Sequence, residues 1–334
     1  MNKEESLIRV SGLSKEFDVG KGFLSKGKKL KAVDQVSLEI RKGETLGLVG
    51  ESGCGKSTLG RCILRLIEPT GGEVFYQNQN LLELDQESMR RMRRRLQIIF
   101  QDPYASLNPR MTVMEIIKAP LDVFRIGTPG ERVQKVMEIA RVVGIREEYM
   151  LRYPHEFSGG QRQRIVIARA LVLDPEFIVC DEPVSALDVS IRSQVLNLIR
   201  DIQKKYHLSY LFISHDLSVV KHISDRVAVM YLGSIVEMAD KAELFSNPAH
   251  PYTQALMSAI PVPDVDVVKR EIYLEGDVPS PVDPPEGCRF HTRCPYAAKI
   301  CRQTKPQLTD MGNGHYTACL RQKELAENRK PGTL

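Results

Sequence analysis

The chain has 334 residues, of which 42% are hydrophobic and 27% charged, with a mean hydropathy of −0.24 and a net charge of +5. No apolar run approaches the roughly 18–20 residues of a membrane helix, and the N-terminus lacks a signal-type apolar stretch, which predicts a cytoplasmic protein. The mild net charge gives no reason to expect nucleic acid as a ligand. Two basic clusters, at residues 21–31 and 90–95, are expected to be solvated surface.

The first half of the chain begins with strand patterns. Residues 6–10 and 32–40 predict strands, because AVDQVSLEI alternates apolar and polar residues. A glycine-rich loop and a helical pattern follow, and then come the strand patterns GGEVFYQ and LQIIFQDP. Residues 111–150 change to helical spacing. This change predicts a helical insertion within an otherwise strand-rich region.

The second half returns to short apolar strands, FIVCDEP, YLFISHD and RVAVMY, separated by helical sequence. Repeated strand–helix units predict an α/β fold with a parallel sheet covered by helices. The stretch MYLGSIVEM predicts a hairpin, and near Asn247 the composition becomes rich in proline. Because about 100–200 residues form one domain, we predict two. They are residues 1–245, with a helical subdomain at about 104–165, and a small Pro/Cys-rich module at 246–334.

The stretch VGESGCGKSTL has the spacing G-x-x-x-x-G-K-S from Gly50 to Ser57. A glycine loop of this kind exposes backbone N–H groups that can surround an anion. Lys56 would contact the terminal phosphates of a nucleotide, and Ser57 would hold Mg²⁺. A strand before the loop and a helix after it favour a triphosphate site over a turn that binds nothing. The residues assigned to this site are Gly50, Glu51, Ser52, Gly53, Cys54, Gly55, Lys56, Ser57 and Thr58.

An acidic pair, Asp181 and Glu182, ends the apolar strand FIVCDEP. Phosphoryl transfer to water needs one group in the Mg²⁺ shell and another that orients or deprotonates the water. Asp181 suits the metal shell, and Glu182 suits the general base. His215 ends a further strand and could donate a hydrogen bond to the γ-phosphate or to the water, although a lone histidine at a strand end is usually incidental.

The order of motifs from residue 6 to about 245 resembles the ATP-binding subunit of ATP-binding cassette (ABC) transporters. The motifs are the phosphate loop, Gln101 in IIFQDP, the signature FSGGQ at 157–161, the acidic strand at 177–182, SALD at 185–188, and His215. The resemblance implies a P-loop NTPase core that uses ATP and Mg²⁺. It implies catalytic roles for Glu182, His215 and Gln101, and Mg²⁺ contacts from Ser57, Gln101 and Asp181. The chain departs from the family at residue 157, which is Phe where Leu is frequent.

The resemblance also implies a use for the second glycine-rich motif. In the family, the signature of one subunit covers the ATP held by the phosphate loop of another, so that two ATP molecules join two subunits. The residues implied to reach the nucleotide in this way are Ser158, Gly159, Gly160, Gln161 and Asp188. The adenine ring is expected to stack on Phe17, with Phe23 as the alternative.

HPYT at 250–253 and the region after it resemble the C-terminal extension of oligopeptide/dipeptide-type importer ATPases. The resemblance implies a subunit peripheral on the inner face of the cell membrane that powers import of di- or oligopeptides. Its expected partners are two permease subunits, a second ATPase subunit, identical or related, and an extracytoplasmic peptide-binding protein. The same role for nickel, glutathione or another small solute is the alternative. A soluble ABC protein acting on ribosomes or DNA is disfavoured, because those proteins usually have two cassettes or long coiled coils.

Four cysteines crowd the C-terminal segment with the spacing C-x5-C-x6-C-x17-C; they are Cys288, Cys294, Cys301 and Cys319. In a reducing compartment such a cluster indicates a metal more often than disulfides. The gaps exceed those of structural zinc sites, whereas four thiolates also suit a [4Fe–4S] cluster. Some proteins that this chain resembles carry such a cluster. Zinc and ordinary cysteines remain as alternatives, with His291 and His315 as substitute ligands.

Overall fold

The computed structural model describes residues 6–19, 28–260 and 272–327. The strands in chain order are β1 (Ser6–Val19), β2 (Lys28–Arg41), β3 (Thr45–Val49), β4 (Gly71–Tyr76), β5 (Gln79–Asn80), β6 (Leu96–Ile99), β7 (Phe177–Asp181), β8 (Ser209–Ser214), β9 (Arg226–Tyr231), β10 (Ser234–Asp240), β11 (Thr309–Asp310) and β12 (Tyr316–Thr317). The helices in chain order are α1 (Lys56–Ile63), α2 (Gln86–Met92), α3 (Pro103–Ser106), α4 (Val113–Val123), α5 (Pro129–Val142), α6 (Gly159–Leu171), α7 (Val189–Tyr206), α8 (Leu217–Ile223), α9 (Lys241–Ser246), α10 (Pro251–Ser258), α11 (Lys299–Gln303) and α12 (Gln322–Glu327).

The chain folds into two compact units. The first is built mainly from Glu83–Ile213 with Ile40–Thr45, and the second from Ile8–Glu39, Leu46–Leu82 and the residues after Ile213. Units defined by contacts need not coincide with family modules. The division at residue 245 therefore stays a prediction.

In the first unit, β6, β7 and β8 run parallel in that order, with Leu96 opposite Phe177 and Phe177 opposite Ser209. All residues of β7 are buried, as expected for a parallel strand covered on both faces. Helices α3 to α6 pack against one another. Helices α4 and α5 each begin with a capping box, in which a threonine and the glutamate three residues later satisfy two backbone N–H groups.

In the second unit, β1 lies between β2 and β4, and β4 pairs antiparallel with β1 and β5. A separate group begins with β3, which runs parallel to β9. The strands β10, β12 and β11 extend this group by antiparallel pairing. The register places Ser234 opposite Tyr231, so the β9–β10 connection is a two-residue turn. Both turn residues, Leu232 and Gly233, have positive φ, as the tight hairpin turn requires.

The element predictions are confirmed for the strands at 6–10 and 32–40, for the helical run that follows residue 111, and for the hairpin. The first two strands are longer than predicted, because their added residues are mixed in polarity and mostly not buried and so lack the alternating signal. Among the described residues, no helix combines the length and the apolar character needed to cross a membrane.

Candidate functional site

The phosphate loop depends on backbone conformations that favour glycine. Gly50 and Gly55 have φ of 155° and 106°. A side chain at Gly50 would collide with the carbonyl oxygen of Met230, and one at Gly55 with that of Ala32. The loop therefore passes close to neighbouring backbone within the second unit, and only glycine fits at these two positions.

Lys56 begins helix α1 directly after this loop, and its side chain is only 4% exposed. The ammonium donates hydrogen bonds to the carbonyl oxygens of Gly50 at 2.7 Å and Glu51 at 2.9 Å. The loop is also tied to the β9–β10 turn, because Gly233 N–H donates to the Cys54 carbonyl at 2.8 Å. The cation is thus held inside the loop that the sequence predicts to bind phosphate.

The acidic pair lies at the end of β7 in the first unit. Asp181 is 1% exposed, and Glu182 follows with a φ of 48°, which is rare for a residue with a side chain. Glu182 N–H donates to the Ile213 carbonyl at 3.1 Å. Gln101 Nε2 donates to Glu182 Oε2 at 3.2 Å, so two of the three predicted catalytic residues contact each other.

The signature opens helix α6 in the same unit. The Ser158 hydroxyl accepts from Gln161 N–H at 3.4 Å, and Ser158 N–H donates to the Gln161 side chain at 3.0 Å. This capping box fixes the start of the helix. A side chain at Gly160 would collide with Ile191, on the helix that begins after Asp188, so the signature helix packs closely against α7.

The remaining predicted residues are the two candidates for adenine stacking, His215 and the two basic clusters. Phe17 lies on β1 and is 37% exposed, and Lys15 Nζ lies 4.9 Å from the centre of its ring. Phe23 and most of the basic cluster 21–31 lie outside the described residues. His215 follows β8 and is exposed. In the other basic cluster, Arg91 pairs with Glu87 at 2.7 Å, which indicates a local surface role.

The four C-terminal cysteines line one cavity in the second unit, together with His291. Burial raises the pKa of Cys288 and of Cys294 to about 11, and the neighbouring thiols add to this effect. Among the residues that the structure describes, no three His, Cys, Asp or Glu side chains are arranged so that they could hold a metal ion. The predicted metal site therefore has a shared cavity but no assembled ligand group.

His315, the other predicted substitute ligand, is bound elsewhere. Its Nε2 lies 2.7 Å from Glu237 Oε1 and its Nδ1 lies 3.5 Å from Glu243. Glu237 is completely buried and also accepts the backbone N–H groups of Ala249 and His250. The prediction of His315 as a ligand is thus replaced by a structural role in which Glu237 anchors the start of the HPYT motif.

Sequence reasoning missed the residues that join the C-terminal segment to the phosphate loop. The Glu51 carboxylate accepts from Arg293 at 3.0 Å, and Glu51 N–H donates to the Tyr252 hydroxyl at 3.0 Å. Tyr252 belongs to HPYT, which gave a signal, but Arg293 lies between two cysteines and gave none.

Comparison with known proteins finds one match over the region of the phosphate loop and another over the C-terminal region. A family profile described as "ABC transporter" matches residues 33–185, and one described as "Oligopeptide/dipeptide transporter, C-terminal region" matches residues 236–301. The oligopeptide transport ATP-binding protein AppF of Bacillus subtilis is 53% identical over 95% of this chain and 97% of its own length. This chain belongs to the ABC transporter ATP-binding family.

Two further similar proteins support the same family assignment. The dipeptide transport ATP-binding protein DppF of Haemophilus influenzae is 51% identical over 94% of this chain and 96% of its own length. A dimeric ATP-binding cassette in a post-hydrolysis state, bound to ADP and phosphate, superposes with a TM-score of 0.63 at 27% identity. The superposition covers 70% of this chain and 98% of that cassette. As a member of the ABC family, the chain is an ATPase whose hydrolysis is coupled to transport.

Proposed function

We propose that this chain is the ATP-hydrolysing subunit of an importer for di- or oligopeptides. The observation that carries the proposal is identity of 51–53%, over at least 94% of the chain, to proteins named for oligopeptide and dipeptide transport. The subunit works at the cytoplasmic face of the membrane with two permease subunits, a second ATPase subunit and an extracytoplasmic peptide-binding protein. ATP binding closes the two ATPase subunits, and hydrolysis reopens them, which drives movement of the permeases.

The proposed chemistry assigns each motif a step. Lys56 and the backbone N–H groups of the loop bind the β- and γ-phosphates. Ser57, Asp181 and Gln101 would hold Mg²⁺, which would neutralise charge on those phosphates when bound. Glu182 accepts the proton of the attacking water, and His215 donates a hydrogen bond to the γ-phosphate. The contact between Gln101 and Glu182 supports the pairing of the metal-binding and base functions.

The signature and the adenine contact complete the proposal. Ser158, Gly159, Gly160 and Gln161 bind the γ-phosphate held by the partner subunit, with Asp188 beside them. The capped N-terminus of α6 supports this role, because its first N–H groups and the helix dipole favour an anion. Phe17 stacks on the adenine ring.

Reconstitution in lipid vesicles tests the cargo. The chain, its permeases and its second ATPase subunit are assembled with binding protein loaded with a defined peptide, nickel or glutathione. Hydrolysis and uptake should rise with peptide-loaded binding protein and not with the other two. Stimulation by nickel or glutathione alone would replace the peptide assignment, and activity independent of permeases would favour a non-transport role.

We also propose that the four C-terminal cysteines bind a [4Fe–4S] cluster. Four thiols around one cavity support it, since cluster irons are held by cysteine thiolates. The cluster would supply a structural crosslink in a segment with few core residues. After anaerobic purification we expect about four irons per chain, the number in this cluster type. Stoichiometric zinc without iron would replace the cluster with a zinc site, and no metal would leave ordinary cysteines.

A further inference from the structure

Glu51, the residue after Gly50 in the phosphate loop, is held through each of its polar groups. Its N–H donates to the Tyr252 hydroxyl at 3.0 Å, and its carbonyl accepts from Lys56 Nζ at 2.9 Å. Both oxygens of its carboxylate accept from the Arg293 guanidinium, at 3.1 and 3.0 Å. Two of these three partners lie more than 200 residues away in the sequence. The C-terminal segment therefore fixes the backbone and the side chain of a loop residue.

The Glu51–Arg293 ion pair is largely removed from solvent. The Arg293 side chain is 10% exposed and that of Glu51 is 26% exposed. Removing one partner of a largely buried ion pair costs more free energy than removing one partner of an exposed pair, because the remaining charge stays poorly solvated. Loss of Arg293 would leave an uncompensated carboxylate in a loop that is proposed to receive phosphate.

Phe290, three residues before Arg293, belongs to a buried aromatic cluster with Tyr231 and Tyr252. Phe290 is 1% exposed, and its ring centre lies 5.3 Å from that of Tyr231 and 5.4 Å from that of Tyr252. Aromatic contacts of this geometry stabilise a fold beyond the area that they bury. A turn hydrogen bond of 3.0 Å joins Arg293 N–H to the Phe290 carbonyl. The backbone that carries the guanidinium is thus tied to a residue of the buried aromatic cluster.

The same short segment carries two of the four cysteines, Cys288 and Cys294, at its ends. Cys288 N–H donates to the Cys301 carbonyl at 2.8 Å. The cavity that the cysteines line and the contact with the phosphate loop therefore share the residues between 288 and 294.

We propose that residues 288–294 are a positioning element for the phosphate loop, and that Arg293 and Tyr252 raise ATP affinity through Glu51. Arg293 neutralises the Glu51 carboxylate beside the phosphate site, and Tyr252 fixes the Glu51 peptide group. Both are positioning residues, since they act through Glu51. This inference rests on the proposed function, because it requires that the loop binds ATP.

The test is equilibrium titration of the full-length chain with Mg²⁺ and a non-hydrolysable ATP analogue. Arg293→Gln should weaken binding about tenfold, as expected for loss of one partly buried charge partner. Glu51→Gln removes the carboxylate that Arg293 neutralises, and it is used only in combination with Arg293→Gln. The double variant should recover to within about threefold of wild type, since no charge is left unpaired.

The matched control is Lys305→Gln. Lys305 is a cation of the same C-terminal region, but it pairs with Asp34 at 2.6 Å, and no contact of it with the phosphate loop is observed among the described residues. The affinity of Lys305→Gln for the ATP analogue should equal that of the wild-type chain. An equal loss in Lys305→Gln and Arg293→Gln would overturn the inference, because it would indicate general loosening. Unchanged affinity in Arg293→Gln, or no recovery in the double variant, would also overturn it.

Tyr252→Phe provides a readout that survives if Arg293→Gln does not fold. It keeps the aromatic ring and removes only the hydroxyl, so amide hydrogen exchange at residues 50–55 should accelerate while the C-terminal segment stays protected. Unchanged exchange in the loop would contradict the positioning role. Lys56→Ala distinguishes failure of the proposed ATP site from failure of the positioning role. If Lys56→Ala still binds the ATP analogue, the proposed ATP site is wrong. If Lys56→Ala is the only variant that loses binding, only the positioning role is wrong.

Discussion

At the scale of single residues, Glu182 combines a rare backbone conformation with a contact to Gln101. Strained backbone of this kind is typical of functional sites, where it directs a side chain. We expect Glu182→Gln to retain ATP binding and to slow hydrolysis by roughly 150-fold, which equals about 3 kcal/mol in the barrier. The amide has the same shape but cannot accept a proton.

Single-turnover kinetics at saturating ATP measures this effect. Glu176→Gln is a matched control in the same unit, because Glu176 precedes the same strand but pairs with Arg95 at 3.6 Å. It should hydrolyse ATP at the wild-type rate. Wild-type hydrolysis by Glu182→Gln would mean that another residue is the base.

His315 is a second residue whose environment predicts a measurable effect. The hydrogen bond to Glu237 raises the pKa of His315 above its usual 6.5. Stabilisation from this pair is complete below pH 6.5 and is lost as the pH rises through the higher folded-state pKa. The melting temperature of wild type should therefore fall relative to His315→Gln between pH 6.5 and 9. A constant difference across that range would show that His315 does not titrate with folding.

At the scale of elements, the two glycines of the signature differ in how much space surrounds them. A Cβ at Gly160 would collide with Ile191 on α7, whereas one at Gly159 would meet only the flexible end of Leu187 at 3.3 Å. Both positions are helical, so alanine brings the same gain in helix propensity at each. Gly160→Ala should therefore unfold more easily than Gly159→Ala, by about 1–3 kcal/mol from overpacking. Urea denaturation measures the difference, and equal stabilities would contradict close α6–α7 packing.

Elements were predictable where one local pattern decided them. The alternation in AVDQVSLEI and the apolar run in FIVCD fix β2 and β7, because burial on one face or both leaves a period in the sequence. The outer parts of β1 and β2 were missed, since they are mixed in polarity and mostly not buried. The capping box of Ser158 and Gln161 at the start of α6 is also a local pattern, since the two residues lie three positions apart.

At the scale of the whole molecule, the candidate site was predictable only within its motifs. Lys56 beside the loop carbonyls follows from the local spacing of GCGKS. The pair of Arg293 with Glu51 could not be predicted, because it joins residues 242 positions apart and no local period encodes such a contact. The thiols are distant from the ATP motifs in sequence, yet Arg293, next to Cys294, contacts the phosphate loop.

The whole-molecule prediction concerns dimerisation. Glu182→Gln with ATP and the appropriate partner subunit should form a stable dimer, because each signature binds the nucleotide of the other chain and hydrolysis cannot release it. If the partner is a second copy, light scattering will give twice the 37.7 kDa of one chain with ATP and the single mass with ADP. If the partner is a related chain, this chain alone will stay at the single mass and dimerise only when that chain is added.

The signature variant Ser158→Arg separates this dimer from ATP binding itself. It should abolish dimerisation, because the added side chain occupies the place where the partner's γ-phosphate must bind. ATP binding by the isolated chain should be preserved, since the phosphate loop is unchanged, whereas Lys56→Ala should lose binding and dimerisation together. If Ser158→Arg loses monomer binding as severely as Lys56→Ala, the signature acts on ATP in its own chain, and two subunits do not share the nucleotides.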